Sequence, residues 1–200
     1  MRLLMTATSP YARKCRIVVR ELGLESRVEE VAVDPYGDTP TLLAANPIAQ
    51  VPALVTDEGE VLIDSPLICA WLDAQAGGRL LPSVAEPAHW RVRRTEALGQ
   101  GLLEMAVKLV LESRRPESER SPHWLARWSA NLDRALDAAE ARAAEATLED
   151  LGGLTLAVAV GYLDFRHRDR NWRGGRPRLA ALSEAAEQRP SFAATRPPDA

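Results

Sequence analysis

The chain has 200 residues, 46% of them hydrophobic, enough to bury the core of one large domain or two small ones. Its formal net charge is −3 with both signs interspersed, which gives no ground for binding nucleic acid or an anionic membrane. Two cysteines, Cys15 and Cys69, are too few for a disulfide framework or a zinc site, and no stretch approaches the ~20 apolar residues of a membrane span.

In chain order, Met1-Arg2-Leu3-Leu4-Met5 is too short for a secretory core and no small-residue cleavage site follows it, so a cytoplasmic protein with reduced thiols is expected. Residues 2–7 read as a buried strand, broken by Thr8-Ser9-Pro10. Ser9 suits a helix N-cap and Pro10 its first turn, where a missing N–H costs nothing. The helix runs to about Leu22, with Gly23 as its stop, and Cys15, Val18, Val19 and Leu22 form its buried stripe. Residues 28–33 read as a second strand, parallel to the first through a right-handed crossover. Residues 34–46 are irregular apart from a short helical candidate at 41–45. A hairpin follows: 52–56, a turn at Asp57-Glu58-Gly59, and 60–63. Asp64-Ser65-Pro66 starts a helix over 67–75, stopped by Gly77-Gly78. The order βαβ-α-ββα describes a compact α/β domain over 1–80.

A polar connector follows, with the boundary near Leu81, and an all-α helical domain is expected over 87–200. One long helix spans 87–113, with Leu98, Leu102, Met105, Ala106 and Leu109 on one face. Residues 114–121 form a charged loop. A second long helix spans 122–146, its core side marked by Leu125, Trp128, Leu132 and Leu136. Thr155 caps an apolar helix through Phe165 that belongs at the centre of the domain. Residues 177–188 make the final helix, and 190–200, with Pro197-Pro198, reads as a tail on the surface. The basic cluster from Arg166 to Arg178 is either an anion patch or a solvated loop. His89, His123 and His167 have no ligand-spaced partners, so no metal site and no role is assigned to them.

The first domain is similar to the thioredoxin fold. Ser9-Pro10-Tyr11-Ala12 stands where glutaredoxins carry Cys-Pro-Tyr-Cys, and without either sulfur that motif supports no dithiol exchange. Val51-Pro52 stands where the fold carries a cis-proline. Such a bond would turn the Val51 N–H and C=O outward, so that a peptide ligand pairs with them like an added strand. Otherwise Pro52 is simply the first residue of an edge strand. With the helical second half, the whole chain resembles the cytosolic glutathione S-transferases. The resemblance rests on Ser9-Pro10-Tyr11-Ala12-Arg13-Lys14, Asn46-Pro47 through Val51-Pro52-Ala53-Leu54, Asp64-Ser65-Pro66, and the run from Leu154 to Phe165. It points to a bacterial subgroup with a Thr-Ser-Pro start and no clearly assigned reaction.

That resemblance implies a transferase that binds glutathione as co-substrate, needs no other cofactor, and activates the thiol for attack on a small electrophile in detoxification. The implied glutathione contacts are Ser9, Gln50, Val51, Pro52, Asp64 and Ser65. Val51 pairs its backbone with the cysteinyl part, Asp64 and Ser65 hold the γ-glutamyl end, and Gln50 adds a polar contact. A carboxylate suits the donors and positive dipole of a helix N-terminus, and Asp64 suits an α-ammonium group. Ser9, with Thr8 as its competitor, faces the thiol. One hydroxyl bond to the sulfur plus the helix terminus supplies ~2–3 kcal/mol, lowering the thiol pKa by ~2 units. The alternative for both serines is a capping role alone, and for Cys15, a rival nucleophile, a buried core thiol. The second substrate is expected in an interdomain cleft near Leu102, Met105 and Ala106, which are otherwise core residues. Thr155 is followed at the capping-box offset by Val158, so the reciprocal bond is missing there. The family also implies a homodimer. A non-catalytic binding or regulatory protein on the same fold is the alternative function. The electrophile, and the choice among conjugation, isomerisation and dehalogenation, are not written in these motifs.

Overall fold

A computed structural model describes residues 1–37 and 39–198. The chain divides into two compact units: Met1–Ser83 together with the segment from Glu187 onward, and Val84–Ala186.

The first unit is a thioredoxin-like mixed sheet with helices. Its strands are β1 (Arg2–Met5), β2 (Glu29–Ala32), β3 (Ala53–Val55) and β4 (Val61–Leu62), in the order β2-β1-β3-β4. β1 runs parallel to β2, with Leu4 opposite Val31, and antiparallel to β3, with Leu4 opposite Ala53. β4 returns antiparallel to β3, pairing Leu62 with Leu54. Helix α1 (Pro10–Glu21) crosses between β1 and β2, as a parallel pair requires. It is capped by Ser9, opened by Pro10, and ended beyond Leu22 by Gly23 at φ +68, a left-handed conformation that suits glycine. The short helix α2 (Pro40–Ala45) precedes β3, and α3 (Ser65–Gln75) follows β4. Cys15, Val18 and Val19 of α1 and Ile68, Cys69 and Leu72 of α3 are fully buried.

The second unit is helical: α4 (Pro87–Ser113), α5 (Pro122–Ala143), α6 (Leu151–Arg166) and α7 (Pro177–Glu187), with one 3₁₀ turn over Glu117–Glu119. α6 is buried over nearly its whole length and packs chiefly on α4. A side chain at Gly99 would meet Thr155 Cγ2 at 2.8 Å and the Leu156 nitrogen at 3.1 Å, so this glycine sets how closely the two helices approach. α6 begins four residues before the expected Thr155. Its N-cap is Asp150, whose Oδ1 accepts from the Gly153 N–H at 2.8 Å. Thr155 lies inside the helix and donates its hydroxyl to the Leu151 carbonyl at 2.6 Å, so the apparent gap at Val158 has no bearing on the cap. On α5, Leu132 and Leu136 are core, while Leu125 and Trp128 are half-buried.

The chain then returns. Helix α8 (Pro190–Ala193) belongs to the first unit, where it packs on α1, whereas the sequence reading grouped it with the helical domain. The expected surface tail is corrected here for its first half: Ser191, Phe192 and Thr195 are buried, since an aromatic ring has more to gain from burial than the flanking prolines suggest. Its last residues, 199–200, lie outside the described ones. No helix among the described residues is long and apolar enough to cross a membrane.

Candidate functional site

The sheet register brings three segments of the first unit, around Ser9, Val51 and Ser65, to one edge. β1 ends, β3 begins and β4 ends on the same side, since Leu4 faces Ala53 and Leu54 faces Leu62. The turn into α1, the loop into β3 and the turn into α3 therefore leave from a single sheet edge. Two helices start there, each presenting N–H groups without an intrahelical acceptor and the positive end of its dipole.

Ser9 is half-buried at the start of α1, and its Oγ accepts from the Ala12 N–H at 3.2 Å. That bond uses a lone pair and leaves the hydroxyl proton free to donate. Capping and contact with a ligand are thus compatible. Thr8 is exposed, and its hydroxyl lies 3.4 Å from that of Thr6.

The Val51–Pro52 peptide bond is cis, as is Ile63–Asp64. Pairing of β3 with β1 starts only at Ala53, and among the described residues the Val51 N–H and C=O enter no hydrogen bond. Val51 is half-buried and Pro52 buried. The loop before them is held by Asn46, a buried side chain whose Nδ2 donates to the Gln50 carbonyl at 2.8 Å and whose Oδ1 accepts from the Ile48 N–H at 3.0 Å. The Gln50 side chain is exposed. Asn46 is a positioning residue that the sequence showed only as part of Asn46-Pro47.

Asp64, not Ser65, occupies the N-cap of α3, and its side chain makes no capping bond there. Asp64 is exposed, whereas Ser65 is the buried first residue of the helix. The start of α3 lies against α1, since the Cys15 Sγ is 3.9 Å from the Ser65 carbonyl oxygen. The far end of α3 is anchored by Asp73, whose carboxylate accepts from the backbone N–H groups of Arg79, Leu80 and Leu81 at 2.8, 2.8 and 2.9 Å. A buried Asp near a Gly-Gly stop carries a weak signal in sequence, because helix-end acids are usually solvated.

Cys15 is core. Its Sγ is 3.8 Å from that of Cys69, and both thiols are fully buried. Burial first, then the neighbouring Cys69, pushes the Cys15 thiol well above the ordinary thiol range. A neutral, enclosed thiol is no nucleophile.

In the helical unit Leu102 and Ala106 are 1% exposed and Met105 is half-buried. Half of the arginines in the basic cluster are neutralised by carboxylates. Arg170 pairs with Asp133, Arg173 with Asp164, and Arg176 with Asp137, while the buried Trp172 donates its indole N–H to Asp164 at 2.8 Å. His167 is tied into the same region, its Nε2 donating to the Ala106 carbonyl at 3.0 Å. No group of acidic, histidine or cysteine side chains among the described residues forms a metal site.

Residues 8–75 match the family model for the glutathione S-transferase N-terminal domain. Over its full length the chain is 35% identical to the uncharacterized GST-like protein YibF of Escherichia coli K12, covering 100% of both. The chain belongs to the glutathione S-transferase family. Solved transferase structures are close as well. A glutathione transferase family member from Pseudomonas fluorescens Pf-5, with bound glutathione, is 36% identical, covers 98% of each chain and superposes with a TM-score of 0.91. A glutathione S-transferase from Methylobacillus flagellatus KT with glutathione bound is 31% identical, covers 98% of this chain and 99% of that one, and has a TM-score of 0.90. In this glutathione S-transferase fold, the sheet edge bearing Ser9, Val51 and Ser65 is the place where backbone donors and an unpaired strand segment meet.

Proposed function

We propose that the chain binds reduced glutathione at this edge and lowers the pKa of its thiol for attack on a small electrophile. The observation that carries the reading is the convergence of three features on one sheet edge: the Ser9-capped start of α1, the unpaired Val51 backbone and the start of α3 at Ser65. The glutathione held by the Pseudomonas and Methylobacillus relatives supports it.

Each part of the peptide has a chemically matched place. The γ-glutamyl carboxylate takes the N–H groups and hydroxyl at the start of α3, and Asp64 accepts from the α-ammonium group. Val51 exchanges backbone bonds with the cysteinyl residue, with Pro52 shaping the bend and Gln50 at the rim. The sulfur then lies toward Ser9. The hydroxyl proton points to the developing thiolate while the oxygen keeps its bond to Ala12. Hydroxyl and helix terminus together supply ~2–3 kcal/mol, about 2 pKa units, so that most bound thiol is ionised at neutral pH. The thiol proton passes to solvent. The sulfur lone pair forms the new S–C bond as the electrophile's leaving group departs or its double bond takes up the electrons. The working form we propose is a cytoplasmic homodimer.

Calorimetric titration with reduced glutathione tests the binding half, and the thiolate's ultraviolet absorbance against pH tests the activating half. Ser65→Ala is expected to weaken binding at least about tenfold, the loss of one charge-assisted bond. Ser9→Ala is expected to raise the bound thiol's pKa by about 1–2 units and to leave affinity nearly unchanged at a pH below the wild-type bound value. A folded wild-type protein that takes up no glutathione overturns the reading.

A further inference from the structure

Arg13 stands one turn into α1 and is only 4% exposed. Three costs accumulate on it. Burial disfavours its charge and lowers its pKa, a cation is poorly placed near a helix N-terminus, and its Nε is buried with no hydrogen-bond partner among the described residues. A hydrophobic residue would fill that position more cheaply, so a reason for the guanidinium lies in what it holds.

It holds the returning C-terminal segment. The Arg13 Nη2 donates to the Phe192 carbonyl at 3.3 Å, the guanidinium sits 5.5 Å from the centre of the Phe192 ring, and Glu187 Oε1 is 3.6 Å away. Its own N–H makes the first helical bond, to the Ser9 carbonyl at 2.9 Å. Ser9 is thus fixed by residues 12 and 13, and residue 13 is fixed by α8. A second attachment grips the other end of α1: Glu21 accepts from the Arg189 Nε at 2.9 Å, from its Nη2 and from the Ser191 hydroxyl. α8 is itself packed and bonded at this point, with Phe192 1% exposed and the buried Thr195 hydroxyl donating to the Ser191 carbonyl at 2.8 Å.

The two attachments lie about 12 Å apart along the axis at a rise of about 1.5 Å per residue. One anchor lets a helix pivot, whereas two set its tilt. A tilt of about 5° over that length moves the helix start by about 1 Å, enough to weaken a hydrogen bond that must be aligned with a reacting group.

We infer that Arg13 is a positioning residue for thiol activation, and that it and Phe192 form a clasp by which the C-terminal segment aims Ser9 at the glutathione sulfur. The inference rests on the glutathione reading above. It assigns to residues that act only through Ser9 a part in the chemistry and not only in stability.

The test is the thiolate titration of bound glutathione in the full-length chain, with affinity and melting temperature recorded beside it. Arg13→Met and Phe192→Ala are each expected to raise the bound thiol's pKa by about one unit, cutting turnover about tenfold at a pH below it, while glutathione affinity changes less than about threefold. Arg13→Lys is expected to fail as a rescue, because an ammonium lacks the planar fork that meets both the ring and the carbonyl. Phe192→Ala keeps the Arg13 charge, so a shift in Arg13→Met alone reports the charge and overturns the clasp. Should Phe192→Ala not fold, Phe192→Leu and Glu21→Gln loosen the same attachments more gently, and wild-type titrations in both overturn the inference. A shift in Ser9→Ala with none in the clasp variants sinks this inference and leaves the glutathione reading standing. Absence of glutathione binding by the wild type sinks both.

Discussion

Asp73→Ala is the sharpest test of how the first unit is held together. The carboxylate is 2% exposed and receives three backbone N–H groups just beyond the end of α3. Their environments differ. Leu80 is 4% exposed, so its N–H finds no water once the carboxylate is gone, at a cost of about 1.5–3 kcal/mol for a bond to a charged acceptor. Arg79 is exposed and Leu81 half-buried, so water replaces much of those two bonds and about 1 kcal/mol is lost between them. The expected loss is therefore about 2.5–4 kcal/mol, a large share of a domain's net stability. Asp73→Asn keeps an oxygen for Arg79 and Leu80 and should cost about half as much. Urea unfolding followed by circular dichroism measures the total, and hydrogen exchange over 65–82 shows where it arises. Exchange should rise at residues 79–81 first. A loss in Asp73→Ala below about 1 kcal/mol, or equal losses in the Ala and Asn variants, would refute the reasoning.

Three further outcomes are expected. A side chain at Gly153 would meet the Thr147 carbonyl oxygen at 1.9 Å and its carbon at 2.6 Å, backbone atoms that cannot yield, so Gly153→Ala should cost about 3 kcal/mol or more, with a matching fall in the helical unit's melting temperature; an unchanged melt would contradict it. Asn46→Ala releases the loop that carries Val51 and should weaken glutathione about tenfold with a modest thermal shift, so an unaltered calorimetric affinity would detach that loop from binding. Burial, aided by Arg170 and opposed by the bond to Ala106, holds the His167 pKa below its ordinary 6.5. The depressed value means that its contribution is complete above 6.5 and is lost as the pH falls below it, because the unfolded chain then takes up the proton first. The stability of the helical unit should drop through that range, His167→Gln should flatten the drop, and parallel pH curves for the two proteins would exclude it.

Much of the fold was legible because several local signals agreed at the same residues. Ser9-Pro10 and Gly23 bracket α1 as cap and stop, and the stripe from Cys15 to Val19 faces the core as its spacing requires. The edge segments at Ser9, Val51 and Ser65 were legible as motifs, while their meeting at one side of the sheet needed the strand register. The start of α6 was misplaced because Thr155 was taken as its cap, whereas Gly152 and Gly153 lie inside the helix. The chain uses them for close approach, Gly152 to the Val92 carbonyl and Gly153 to Thr147. The signal was nevertheless there, in Asp150, a favoured N-cap residue directly before the apolar run. α8 was missed because four residues after a proline carry too little periodicity to register. Arg13 and Asp73 were missed because a charge in a helix is normally solvated, and only burial tells the exceptions apart.

The return of the chain at Glu187 has a bearing on how the protein is made. The first unit is discontinuous, with the helical unit inserted between its two pieces. On a ribosome the sheet and α1–α3 emerge before the helical unit, yet Phe192 and its contacts with Arg13 arrive after it. The back of α1 is thus bare while the whole helical unit is synthesised, about 5–20 seconds at 5–20 residues per second. The helical unit is contiguous, so all of it is synthesised before Phe192, and a segment made after that unit completes the unit begun before it.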